Sequence, residues 1–89
     1  MPIFEPRDDS AYLNWLASNP DGYVINTEPG GHGYARLHRV VCDTIRTRPP
    51  YVGQSYVKIC SASLDELDDW ALERRNATVQ RCAAYQCWP

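Results

Sequence analysis

The chain has 89 residues, enough for one domain with a small core, and a domain of that size commonly needs a metal, a disulfide or a partner to fold firmly. Its formal charge of −2 gives no overall pull toward nucleic acid, and no apolar run approaches the roughly 20 residues that a membrane helix requires. The opening "MPIFEPRDDSAYLNW" has no basic start and no apolar run of signal-peptide length, so a cytoplasmic, reducing location is expected, where disulfides are rare.

The first predicted element is a helix over residues 9–18. Tyr12, Leu13 and Leu16 form its apolar stripe, and Trp15 widens it. Asp8, Asp9 or Ser10 can cap its first N–H groups, and Asn19-Pro20 ends it, because proline disfavours helical geometry in the residue before it. "PDG" is a turn. "YVIN" at 23–26 is a β-rich run, and "YARLHRVV" at 34–41 is a second strand beyond the glycine-rich "TEPGGHG". Alternation puts Ala35, Leu37 and Val41 on one face of that strand, with Tyr34, Arg36, His38 and Val40 on the other.

Pro49-Pro50 excludes regular structure from the next loop, and "SYVKIC" at 55–60 is a third strand, with Val57 and Ile59 inward and Tyr56 and Lys58 outward. "SASLDELDDWALERR" opens with Ser63 and Glu66 in capping-box spacing. Leu64, Leu67 and Ala71 share one face of this helix, beside Trp70. Its early acids and late arginines complement the helix dipole. The expectation is a single α+β domain over 1–89 in the order α-β-β-β-α. It has a small three-stranded antiparallel sheet, helices on one face, and a cysteine-bearing C-terminal tail.

Charge is unevenly spread. Residues 1–33 carry five acids against one base, and 61–75 carry five acids against two. Between them, Arg36, Arg39, Arg46, Arg48 and Lys58 stand against Asp43 alone. Tyr34, Arg36, Tyr56 and Lys58 interleave rings and cations on one strand face, and Arg46 and Arg48 follow on a loop. Rings that stack on bases and arginines that hold phosphates make this a candidate nucleic-acid surface. Ordinary solvated charges on a sheet face are the alternative. The order of elements is also that of double-stranded RNA-binding domains, but those begin their last helix with basic residues, and "SLDELDD" is acidic, which excludes that assignment.

His38 and Cys42 lie four residues apart, and Cys82 and Cys87 close the chain with four residues between them. Two local pairs of nitrogen and sulfur donors suit a tetrahedral structural zinc site, and the binding energy of such an ion becomes folding energy. The other possibilities are a disulfide framework and cysteines that serve as small buried hydrophobes. Cys60 ends an inward strand and reads as core, although it can replace His38 in a ligand set. Catalysis has little support. His32 in "GGHG" and a cysteine would be a nucleophile and base with no orienting third group, and "EPGGHG" lacks the lysine and helix of a phosphate loop. "NAT" at 76–78 is a glycosylation acceptor only in a secreted eukaryotic protein.

The set "DDSAYLNWLASNPDGYVIN", "LHRVVCDTI", "YVKIC" and "LDELDDWA", closing on paired cysteines, resembles a group of small bacterial, chiefly actinobacterial, domains. Their shared pattern is GYVLN…LHR…C.TI…Y.KVC…EL..WA…C..C, and it names no reaction. The resemblance covers nearly the whole chain. It implies that His38, Cys42, Cys82 and Cys87 are shared features of an intracellular bacterial protein. This chain departs at "CAAYQC", where four residues replace two. The expected function is a non-catalytic recognition module with a structural zinc, binding nucleic acid or, alternatively, acting as a protein adaptor or inhibitor through Trp15, Trp70 or Trp88. No membrane contact and no small-molecule substrate are expected.

Overall fold

The structure, a computed structural model, describes residues 3–28, 35–42, 45, 52, 57–75 and 79–82. Helix α1 runs Asp9–Ser18, as its flanking signals predict. Asp8 is the N-cap, and its carboxylate accepts from the Ala11 N–H at 2.8 Å, satisfying a donor that the helix start leaves open. At the far end the Asn19 N–H donates to the Leu16 carbonyl at 3.2 Å, and the Asn19 side-chain amide donates to the Trp15 carbonyl at 2.9 Å.

Gly22 leads the chain into the sheet. A Cβ there would stand 2.8 Å from the Trp15 ring and 3.1 Å from the Asn19 carbonyl oxygen. The ring cannot retreat easily, because it stacks on Phe4 with centroids 6.5 Å apart. Strand β1, Tyr23–Thr27, lies between two antiparallel partners: β2, Ala35–Arg39, and β3, Val57–Ser61. Ile25 faces Leu37 on one side and Ile59 on the other, which fixes the register of all three strands. Phe4 and Cys60 exchange backbone hydrogen bonds of 2.8 Å, so the N-terminal segment covers part of the outer edge of β3.

Helix α2, Leu64–Arg75, follows β3, and a two-residue strand β4, Gln80–Arg81, joins the other edge of the sheet, parallel to β2. The order is β3-β1-β2-β4. Strands β3 and β4 point the same way on opposite edges, so α2 is the crossover between them. The fold is α+β, but the sheet is four-stranded and mixed where three antiparallel strands are expected. Gln80 and Arg81 are both exposed and too few to show alternation, so nothing local marks them as strand.

The helices also depart from the expectation of one shared face. Tyr12 and Leu16 of α1 pack with Val24, Val40, Ile45 and Cys60, whereas Leu67 of α2 packs with Ile25, Ala35, Leu37 and Ile59. Val24 and Ile25 are neighbours on one strand and point to opposite faces, so the helices cover opposite sides of the sheet. Strands buried on both sides lose the apolar–polar alternation that would announce one wet face. Lys58, expected outward, is accordingly buried at 6% exposure, and His38 at 5%. Val41, expected beside Leu37, instead lies in the turn after β2 and is exposed, while Val40 packs under α1. No helix among the described residues is long and apolar enough to cross a membrane.

The apolar stripe of α2 is as its spacing predicts, with Leu67 and Ala71 buried and Leu64 and Trp70 half-buried. Leu67→Ala should cost about 2–4 kcal/mol in urea denaturation, and Asp68→Ala on the exposed side less than about 0.5 kcal/mol. Gly22→Ala should cost about 1–3 kcal/mol, since it forces the Trp15 ring off its place, and a neutral result would refute that contact.

Candidate metal centre

The site is built by one turn and one short ladder. After β2 the Cys42 N–H donates to the Arg39 carbonyl at 2.9 Å, closing a four-residue turn. That turn folds Cys42 back over the end of β2, with its Sγ 3.7 Å from Nδ1 of His38. The four-residue spacing noted in the sequence is thus closed by a β-turn.

Cys82 arrives from the other side. In the parallel ladder Gln80 pairs with Arg36 and Arg81 with Leu37, and the Cys82 N–H donates to the Leu37 carbonyl at 2.9 Å. Continued by one residue, that register sets Cys82 beside His38, and alternation sends both side chains to the α1 side of the sheet. The donor atoms of His38, Cys42 and Cys82 all lie within 4.8 Å of one another. A tetrahedral ion with metal–sulfur bonds of about 2.3 Å sets neighbouring donors roughly 3.5–3.8 Å apart. The 3.7 Å pair already meets that spacing, and a contraction of about 1 Å at Cys82 brings in the third donor. These three residues can hold a metal ion. Cys87, the fourth expected ligand, lies outside the described residues.

Electrostatics favour the ligating form of the imidazole. Burial, aided by the Lys58 and Arg36 cations, lowers the His38 pKa from 6.5 to about 4, so the ring is neutral at physiological pH with a lone pair to give. The same two cations partly balance the negative charge that thiolate ligands bring. Cys60 has a different environment. It is fully buried under α1, and burial pushes its pKa up to about 12 against the opposing pull of Lys58. It is a core thiol, and it stands apart from the cluster of three. Cys42, Cys60 and Cys82 are all thiols rather than disulfides.

The proposed nucleic-acid residues fare differently. Tyr34, Arg46, Arg48 and Tyr56 lie outside the described residues. Arg36 is half-buried and donates from Nη1 to the Ala35 carbonyl at 3.0 Å. Lys58 turns under α1, donates to Oδ1 of Asn26 at 2.8 Å, and lies 5.6 Å from the centroid of the Tyr12 ring. Lys58 is thus buried where strand alternation predicts exposure. Its one sequence signal is Asn26 at an interior strand position, paired across the sheet with both Lys58 and Arg36. No family model matches this chain, and no curated protein or solved structure matches it.

The metal-free, reduced chain should lose stability as the pH falls from 6.5 toward 4. Over that range the unfolded histidine takes up a proton while folded His38, with its pKa lowered to about 4, stays neutral. Well above pH 6.5, where the unfolded histidine is neutral as well, this group should contribute no slope. Urea titrations at pH 7 and pH 5 check this, and His38→Gln should show a smaller pH dependence than the native chain.

Proposed function

We propose that this chain is a non-catalytic recognition module whose fold is completed by a zinc ion on His38, Cys42 and Cys82, with Cys87 as the fourth ligand. One observation carries the reading: three side chains from a strand, a turn and an edge segment converge within 4.8 Å. A neutral nitrogen and sulfur donors suit zinc better than the oxygen-seeking calcium or magnesium. Three or four protein ligands, two of them buried, describe an ion that ties segments together. With Cys87 as the fourth ligand the set closes and leaves no open position for a substrate, which is what makes the proposed role structural.

For the partner, the described surface supports a protein ahead of nucleic acid. Lys58 is buried and Arg36 half-buried, which leaves the nucleic-acid reading to Tyr34, Arg46, Arg48 and Tyr56. Trp70 is half-buried and lines a groove of about 270 Å³ with Ile3, Glu5, Glu66, Asp69 and Glu73. Those carboxylates repel phosphates and suit a cationic segment of a protein. Trp15, by contrast, is occupied by Phe4 and Gly22, and Trp88 lies outside the described residues.

The chain purified under reducing conditions should carry about one zinc ion, as ligand count and charge require. Chelation should lower its melting temperature, and Cys42→Ser and Cys82→Ser should each abolish stoichiometric zinc. Metal-free protein with unchanged melting would overturn the reading. Weak binding of DNA and RNA that is insensitive to salt would remove the nucleic-acid alternative, because phosphate contacts must weaken as salt rises.

A further inference from the structure

We propose that Cys42 and Cys82 are also a redox pair, so that a peroxide converts the metal centre into a Cys42–Cys82 disulfide and expels the ion. The expulsion step rests on the zinc reading above; the pairing of the two sulfurs rests on geometry alone. Their Sγ atoms lie within 4.8 Å, and a disulfide needs about 2.05 Å, so the sulfurs must close by no more than about 2.8 Å. Cys42 ends a turn after β2, and Cys82 follows a strand of only two residues at the sheet edge. Neither is locked inside a long element, and the burial differs in a useful way: Cys42 is fully buried and Cys82 is half-buried. An oxidant from solvent therefore meets Cys82 first, with Cys42 behind it as the resolving thiol.

Bound zinc would hold both sulfurs as thiolates, the form that attacks peroxide. In the first step the Cys82 sulfur attacks one peroxide oxygen. A sulfur–oxygen bond forms, the oxygen–oxygen bond breaks, and hydroxide leaves, giving a sulfenic acid. In the second, the Cys42 thiolate attacks that sulfur, the sulfur–sulfur bond forms and a second hydroxide leaves. Two electrons pass from the sulfurs to hydrogen peroxide, whose two oxygens depart as two hydroxides. With two of the three described donors joined to each other, the ligands that remain would be too few to hold the ion, which would leave as Zn²⁺. A dithiol reductant reverses the sulfur chemistry and restores the ligands. Cys60 does not compete, because it is fully buried in the α1 core and separate from the cluster.

The test treats the full chain with hydrogen peroxide in two arms. In the metal-free, reduced arm, peptide mapping by mass spectrometry should find Cys42 joined to Cys82. A Cys82–Cys87 or Cys42–Cys60 link in its place, or no link, overturns the proposal whatever the chain does with zinc. In the zinc-loaded arm, a chromogenic chelator should record one zinc released per disulfide formed, and dithiothreitol with added zinc should return the ion. Zinc retained by the crosslinked chain overturns expulsion. Failure of the zinc reading itself shows earlier, as absence of metal before any peroxide is added. Cys60→Ala should leave the mapped link and the released zinc unchanged, whereas Cys42→Ser should remove the link.

Discussion

A parallel ladder of two residues joins the C-terminal segment to the sheet, and the candidate site exists because of it. The pairing of Gln80 with Arg36 and Arg81 with Leu37 decides that Cys82 faces α1 beside His38. A slip by one residue would turn Cys82 to the α2 side, among Leu37 and Ile25, and the donors would never meet. So short a ladder has little stability of its own. It is anchored at one end by Val79, which packs into the cluster around Leu67, and at the other by the bond from the Cys82 N–H to the Leu37 carbonyl. Apolar packing on one face thereby sets the register of a polar site on the other.

The two faces of the sheet differ in kind. The α2 side is filled with Ile25, Leu37, Ile59 and Leu67, a dry apolar layer. The α1 side mixes Val24 and Leu16 with Lys58, Asn26, His38, Cys42 and Cys60. Burying a cation costs several kcal/mol unless it is well partnered. Desolvation lowers the Lys58 pKa, and Cys60 and Asp9 oppose it. Its hydrogen bond to Asn26 and the nearby face of Tyr12 offset part of that cost, and the Tyr12 hydroxyl is itself satisfied by the Ile45 carbonyl at 2.9 Å. Among the described residues no buried side-chain nitrogen or oxygen lacks a partner. The polar layer under α1 is therefore a satisfied network, and it surrounds the histidine with positive charge.

The local elements were legible in the sequence because their signals are local. Asp8, Asn19 and Pro20 bound α1, the Leu67 and Ala71 spacing orients α2, and the alternation of β2 separates Leu37 from His38. The pairing of His38 with Cys42 was legible because four residues are what one turn closes. The sides of the sheet were not. Lys58 and Arg36 look like an outward basic stripe until α1 covers Lys58, and a sequence does not say which face a helix will choose. Strand β4 was hidden for a related reason: Gln80 and Arg81 become strand through the edge of β2, with no propensity of their own. Cys82 enters the candidate donor set from residue type and spacing alone, and the ladder that places it beside His38 has no signal in the sequence.

The three donors do not depend equally on the rest of the fold. His38 and Cys42 lie four residues apart, are both buried, and are brought together by a single turn, so two of the three donors meet as β2 forms. Cys82 arrives only after β3 and α2 have crossed the sheet, so its contact closes the longest loop in the site. Under the proposed zinc reading, most of the ion's contribution to folding is spent on that closure, since the nearer pair is already formed. Loss of the ion then acts first at the edge. Without β4, the outer backbone groups of β2 lose their ladder partners, and an uncovered strand edge is open to pairing with another chain. Strand β3 is protected differently, by the Phe4 bridge, which involves no ligand. The two edges of this sheet thus have unlike guards, one built from the N-terminal backbone and the other from a segment held by Val79 and one backbone bond, to which the proposed ion would add its own ligands.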